Sequence, residues 1–180
     1  DLVSYAKANP GKVFYGHYNS ASQMTAEMFR VKTGAPMTGV PYKAIGTALQ
    51  DFYGKQLQVM FIEYLPAMAQ IDNGKVLALG VTAPTRFKTW PQVPAIAELI
   101  PGFDFAPIVT VFAATGTPQA AIDRISAEMS AIAKLPEVVQ LLSNAGIEAI
   151  GGSPADLSRA MNEEIERLGK AVQNANLKQE

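Results

Sequence analysis

The chain has no cysteine, one histidine and one tryptophan among its 180 residues. Without cysteine it has no disulfides, no thiolate metal sites and no thiol nucleophile, and it fits either cytoplasm or periplasm. One histidine, His17, with no H-E-x-x-H spacing gives a zinc site no support, and no other cofactor is called for. There is no G-x-S-x-G elbow, no Gly-rich phosphate loop and no readable nucleophile–base–orienter series. An enzyme using His17 as base beside Glu63 or Ser20 is therefore the weakest reading, and none of these is assigned a catalytic role. Basic blocks are absent too: 15 Lys+Arg are scattered against 16 Asp+Glu, for a net charge of -1, so nucleic acid is not an expected partner. The longest apolar runs, such as residues 76–81, are far too short to span a membrane. No signal-peptide pattern and no initiator Met precede the helix that opens at Asp1. That beginning fits a processed protein or a fragment of something longer, and we favour the fragment.

What is present is a core-forming composition, 48% hydrophobic, in a chain long enough for one domain or parts of two. Its first half alternates helices and strands. Asp1 is placed to cap a helix running to about Asn9, and residues 12–16 read as a strand. Ser20 and Gln23 match a capping box at the start of a helix that stops near Gly34. Residues 37–40 form a strand, 44–54 an amphipathic helix, 57–62 a strand, 66–72 a helix and 76–81 another buried strand. Such alternation predicts an α/β fold with a parallel sheet covered by helices on both faces.

Beyond Thr82 the pattern changes. Residues 83–101 hold four prolines (Pro84, Pro91, Pro94, Pro101) and a short helix at 95–99; residues 103–114 read as a long crossing strand broken at Pro107. The remainder is mostly helical. Thr117-Pro118 and Ser153-Pro154 each place a hydroxyl before Pro at a helix start, residues 136–144 form a short helix, and 147–150 a short strand. The two long helices carry Ile122, Ile125, Met129 and Ile132, and Leu157, Met161, Ile165 and Leu168, on apolar faces that need a partner layer.

Three strand-to-helix corners carry the candidate chemistry, because open parallel sheets bind ligands at the carboxyl ends of their strands. The first is Gly16-His17-Tyr18-Asn19-Ser20, followed by Ala21; free amides and the positive end of a helix dipole meet there, which suits a carboxylate. The second, Val40-Pro41-Tyr42-Lys43, holds a lysine that opposes the dipole of the helix it precedes; it pairs either with a ligand carboxylate or with Asp51 or Glu63. At the third, Glu63 follows a strand. It is an acceptor for a ligand ammonium or hydroxyl and repels a second carboxylate, or else is a solvated loop acid.

Signatures spread along nearly the whole chain resemble the solute-binding receptors of tripartite tricarboxylate transporters, the Bug family. They are Asp1-Leu2-Val3-Ser4-Tyr5-Ala6-Lys7-Ala8-Asn9-Pro10-Gly11-Lys12, Val40-Pro41-Tyr42-Lys43, Gly74-Lys75-Val76-Leu77-Ala78-Leu79, Pro91-Gln92-Val93-Pro94-Ala95-Ile96-Ala97-Glu98 and Gly116-Thr117-Pro118. The resemblance implies a periplasmic binding protein of type II-like fold, a two-lobed clamp. Residues 1–107 would be a complete lobe two, and residues 108–180 the returning, incomplete part of lobe one. It implies a periplasmic receptor that captures a small organic mono- or dicarboxylate between its lobes and delivers it to membrane transporter subunits. The expected ligand-binding residues are Gly16, His17, Tyr18, Asn19, Ser20, Ala21, Tyr42, Lys43 and Glu63. His17 and Tyr18 depart from the small residues the family usually places in this loop, and Ala44 replaces a usual Gly. Exposed lobe-one helices would allow self-association. The alternative is the ligand-sensing domain of a transcriptional regulator with the same clamp architecture.

Overall fold

The computed structural model describes residues 1–175. They fall into two compact units, one built on Asp1–Ala106 and the other on Pro107–Lys170.

The first unit is organised by a parallel three-stranded sheet of order β2-β1-β3, with β1 Phe14–His17, β2 Thr38–Pro41 and β3 Val59–Met60. Helix α1 (Leu2–Ala8) is capped by Asp1, whose carboxylate accepts from the amides of Val3 and Ser4. Helices α2 (Ser20–Thr33) and α3 (Ile45–Tyr53) make the β-α crossovers and pack against β1; α4 (Tyr64–Asp72) follows β3. Parallel pairing demands crossovers of this kind, since a tight hairpin cannot reverse the chain between parallel strands. Helix α2 ends where the sequence predicts, at Gly34, whose φ of 63° places it in the left-handed region that glycine enters without a Cβ clash. The core gathers Val13 just before β1, Tyr15 from β1, and Ala26, Met28 and Phe29 from α2. Leu57, Val59, Phe103 and Phe105 complete it. Phe29 meets Phe61 and Phe103 at ring-centroid distances of 5.7 and 6.3 Å.

A second cluster in this unit centres on Val81, Trp90, Val93 and Ala95. Tyr64 of α4 stands edge-on to Trp90 at 5.6 Å and to Phe87 at 5.4 Å. Arg86 ties the Pro-rich segment together: it forms a two-pronged pair with Glu98 and donates to the Pro91 carbonyl at 2.9 Å.

Three expected strands do not form. Residues 76–81 make no ladder, only one parallel bridge from Val81 to Ala95, and Leu77 and Leu79 are exposed. The bridging segment contains Pro94, which accepts from the Val81 amide but has no N–H to return, so pairing stops after one rung. Residues 103–114 are irregular: Phe103 and Phe105 are buried, while Val109, Val111 and Phe112 beyond Pro107 are exposed. Residues 147–150 likewise lack a strand partner among the described residues.

The second unit holds α5 (Gln119–Ile132), α6 (Pro136–Asn144) and the part of α7 (Pro154–Ala175) that reaches Lys170. Ser153 caps α7 as expected: its Oγ accepts from the Asp156 amide, and the Asp156 carboxylate accepts from the Ser153 amide. Thr117 does not cap α5; its hydroxyl donates instead to the Ala114 carbonyl, and the helix begins after Pro118 without a side-chain cap. No residue between 107 and 170 is buried.

Candidate functional site

At the carboxyl end of β1 the chain turns into α2 through Tyr18 and Asn19. The turn is closed one residue earlier than the Ser20–Gln23 pattern predicts. Asn19, extended at φ -154°, is the cap: its Oδ1 accepts from the Ser22 amide at 2.8 Å. The Ser22 hydroxyl in turn accepts from the amides of Tyr18 (3.1 Å) and Asn19 (3.2 Å). Asn is among the best N-caps, and its oxygen reaches the N3 amide. Ser20 is thus not a cap. Two of the corner's expected free amides are already engaged, and those of Ser20 and Ala21 are left without a partner among the described residues.

Glu63 belongs to this corner as well. It occupies the N-cap position of α4, yet its side chain caps nothing there. Instead its carboxylate crosses to the first corner, where it accepts from the Tyr18 hydroxyl and, at 3.0 Å, from Asn19 Nδ2. Burial alone would raise the Glu63 pKa. The hydrogen bonds from Tyr18, from its own backbone and from Asn19 outweigh that and hold it below the usual carboxylate value. Burial, and then the neighbouring Glu63 charge, push the Tyr18 phenol well above its ordinary value. At neutral pH this is a phenol and an amide donating to an anionic acceptor.

The second corner adjoins the first through the backbone, the Tyr42 amide donating to the His17 carbonyl at 2.8 Å. The Tyr42 ring lies over Gly16: a Cβ on Gly16 would come within 3.4 Å of Tyr42 Cε2 and 2.6 Å of Leu57 Cδ1. The Tyr42 hydroxyl donates to Asp51 of α3 at 2.8 Å. Asp51 and Glu63 are therefore both taken by tyrosines, and the exposed Lys43 forms no ion pair among the described residues. His17 is half-buried, with its ring 6.0 Å from that of Tyr15.

The structure thus joins Tyr18, Asn19 and Glu63 by side-chain bonds and sets His17 and Tyr42 beside them, while Lys43 stands apart in contacts though not in sequence. Sequence reasoning missed Ser22, the hydroxyl that organises the turn. The Asn19-x-x-Ser22 spacing was a readable signal for it. An open depression of about 300 Å³, lined by Phe14, Val40, Tyr42, Asp51, Gln56 and Leu57, shares Val40 and Tyr42 with these corners. It is mostly apolar in lining, and the polar chemistry lies at the sheet edge instead. Among the described residues no acidic, histidine or cysteine cluster could hold a metal ion, and no helix is long and apolar enough to cross a membrane.

A family model described as the tripartite tricarboxylate transporter family receptor matches residues 1–177. The chain belongs to that receptor family. Within it, the chain is 28% identical over 181 residues to the protein BugT of Bordetella pertussis, covering 98% of this chain and 55% of BugT. Among solved structures, the R. palustris protein Rpa4515, determined with adipate, superposes with a TM-score of 0.90 at 30% identity, covering 97% of this chain and 60% of that one. A structure described as a periplasmic transporter gives a TM-score of 0.80 at 27% identity, with coverages of 98% and 60%. The chain spans about half the length of the curated relatives it matches. Its fold is that of the periplasmic binding proteins of this receptor family, as the Bug resemblance implies, and the family's members are solute-binding receptors. The regulator alternative gains no support from these likenesses.

Proposed function

We propose that this chain is part of a periplasmic receptor that captures a small organic carboxylate at the carboxyl edge of the β2-β1-β3 sheet. The receptor then delivers its ligand to the membrane subunits of a tripartite tricarboxylate-type transporter. One observation carries the reading: three strand-to-helix corners lie at one edge of a parallel sheet, and the first and third are joined there by the side chains of Tyr18, Asn19 and Glu63. Support for the ligand class comes from the family and from the relative solved with adipate. Gly16, His17, Tyr42, Lys43 and the amides of Ser20 and Ala21 form the rest of the proposed wall, with Lys43 as the cationic contact. Binding and release are its whole chemistry in this reading, with no catalytic residue. We read residues 1–107 as lobe two and residues 108–180 as the returning part of lobe one; residues 176–180 lie outside the described residues.

Calorimetric titration of the 180-residue chain with mono- and dicarboxylates tests the proposal, with uncharged amides of the same length as controls. Binding of carboxylates but not of amides, weakened about tenfold by K43M, is the expected result. Equal response to both series overturns it. Self-association is a further part of the reading, supported by the exposure of Ile125, Met129, Ile132 and Ile165 on α5 and α7. Light scattering across a concentration series should show growing mass; a constant monomer mass refutes it.

A further inference from the structure

We infer that Glu63 makes one end of the carboxylate site selective for a hydrogen-bond donor, so that the ligand is a monocarboxylate bearing an amino or hydroxyl group rather than a dicarboxylate. This rests on the receptor reading above and specifies its ligand. Two side-chain donors of the first corner, the Tyr18 hydroxyl and Asn19 Nδ2, converge on one acceptor. Facing an empty wall, they would be a receptacle for a ligand carboxylate. The chain instead supplies its own carboxylate to both of them, from a position that normally caps a helix and here does not. A carboxylate offers about four lone-pair sites, and the two donors use one on each oxygen. Glu63 is exposed, so the remaining acceptor sites are open to an incoming group. Its charge is held in place by donors on another element, not by a cation: neither Arg nor Lys pairs with it among the described residues.

The edge of the sheet is therefore electrically polar. The β1–β3 corner is negative and accepts, while the β2 corner carries the unpaired Lys43. A ligand with a carboxylate at one end and an ammonium or hydroxyl at the other matches both ends. A dicarboxylate matches one and meets like charge at the other, where the Glu63 carboxylate and a second ligand carboxylate are both acceptors with no donor between them.

A matched series distinguishes the cases: butyrate, γ-hydroxybutyrate, γ-aminobutyrate and succinate, titrated into the full 180-residue chain. The wild type should bind γ-aminobutyrate and γ-hydroxybutyrate at least about tenfold more tightly than succinate. Glu63→Gln, which keeps the shape and removes the charge, should shift the γ-aminobutyrate-to-succinate ratio by about tenfold towards succinate. Glu63→Asp, which keeps the charge, should preserve the wild-type order, and circular dichroism confirms that each variant is folded. Succinate binding the wild type as tightly as γ-aminobutyrate, or a ratio unmoved by Glu63→Gln, overturns the inference while leaving a carboxylate receptor intact. Failure of the wild type to bind any of the four removes the receptor reading, and this one with it.

Discussion

Gly39 of β2 sits directly opposite Tyr15 of β1, and the phenol lies across the space a side chain at Gly39 would fill. A Cβ there would stand 2.6 Å from the Tyr15 oxygen, 2.8 Å from Cζ and 3.2 Å from Cε2. The ring is 2% exposed and is held at its far end, because its hydroxyl donates to the buried Glu27 carboxylate. Glu27 is also bound by Arg30 Nε at 2.8 Å. Gly39→Ala must therefore either compress a rigid ring or break its bond to Glu27. Overpacking of this kind costs about 1–3 kcal/mol, and a bond to a charged group is worth about 1.5–3 kcal/mol. Restricting the unfolded chain returns roughly 0.4–1 kcal/mol, since Gly39 is not at positive φ. The net expectation for Gly39→Ala is a loss of about 1.5 kcal/mol. Tyr15→Phe alone should lose a comparable amount, with Arg30 still pairing Glu27. The double variant should be more stable than the sum predicts, by about 1 kcal/mol, because phenylalanine has neither the clashing oxygen nor a bond to protect. Urea unfolding followed by circular dichroism measures all three differences. Additivity within about 0.5 kcal/mol, or a Gly39→Ala variant as stable as wild type, would refute the reasoning.

At the α2 corner, Asn19→Ala should cost about 1 kcal/mol in urea melts while Ser20→Ala stays within about 0.5 kcal/mol; the reverse order would restore Ser20 as the cap. Arg86 holds the Glu98 carboxyl down, from its ordinary 4.5 to about 2, with the Ala95 amide assisting. A lowered folded pKa contributes stability above 4.5, lost as pH falls towards about 2. NMR titration should find Glu98 near that value in the wild type and clearly higher in Arg86→Gln; no rise would remove Arg86 as the cause. Trp90, the sole tryptophan, is buried beside Tyr64, which directly follows Glu63. A ligand engaging Glu63 should change Trp90 emission, and a calorimetric binding signal with a silent Trp90 would place the ligand elsewhere.

Much of the fold was legible because its signals were local. Asp1 before an apolar-faced heptapeptide, Gly34 after α2 and the alternation through residues 12–62 each name their element without help from distant residues. What failed was pairing. Residues 76–81 have the continuous apolar run of a buried strand, but a strand exists only if a neighbour returns its hydrogen bonds, and Pro94 cannot. Apolar sequence in residues 108–112 likewise says that burial is wanted, not that it is obtained; all but Thr110 of these residues are exposed.

The candidate site divides along the same line. That Gly16, Tyr18, Asn19, Tyr42 and Glu63 matter could be read from three corners at one sheet edge. How they spend their hydrogen bonds could not, because Tyr18 and Glu63 are 45 residues apart and meet only when β1 and β3 pair. That meeting changes the chemistry of the corner. From sequence alone it offers amides, a hydroxyl and a carboxamide to an anion. Once folded, Ser22 takes two of the amides and Glu63 takes the Tyr18 hydroxyl and the Asn19 carboxamide. A corner that attracts carboxylates in a sequence reading thus becomes, through one cross-strand contact, an acceptor surface whose preference is set by the charge of Glu63.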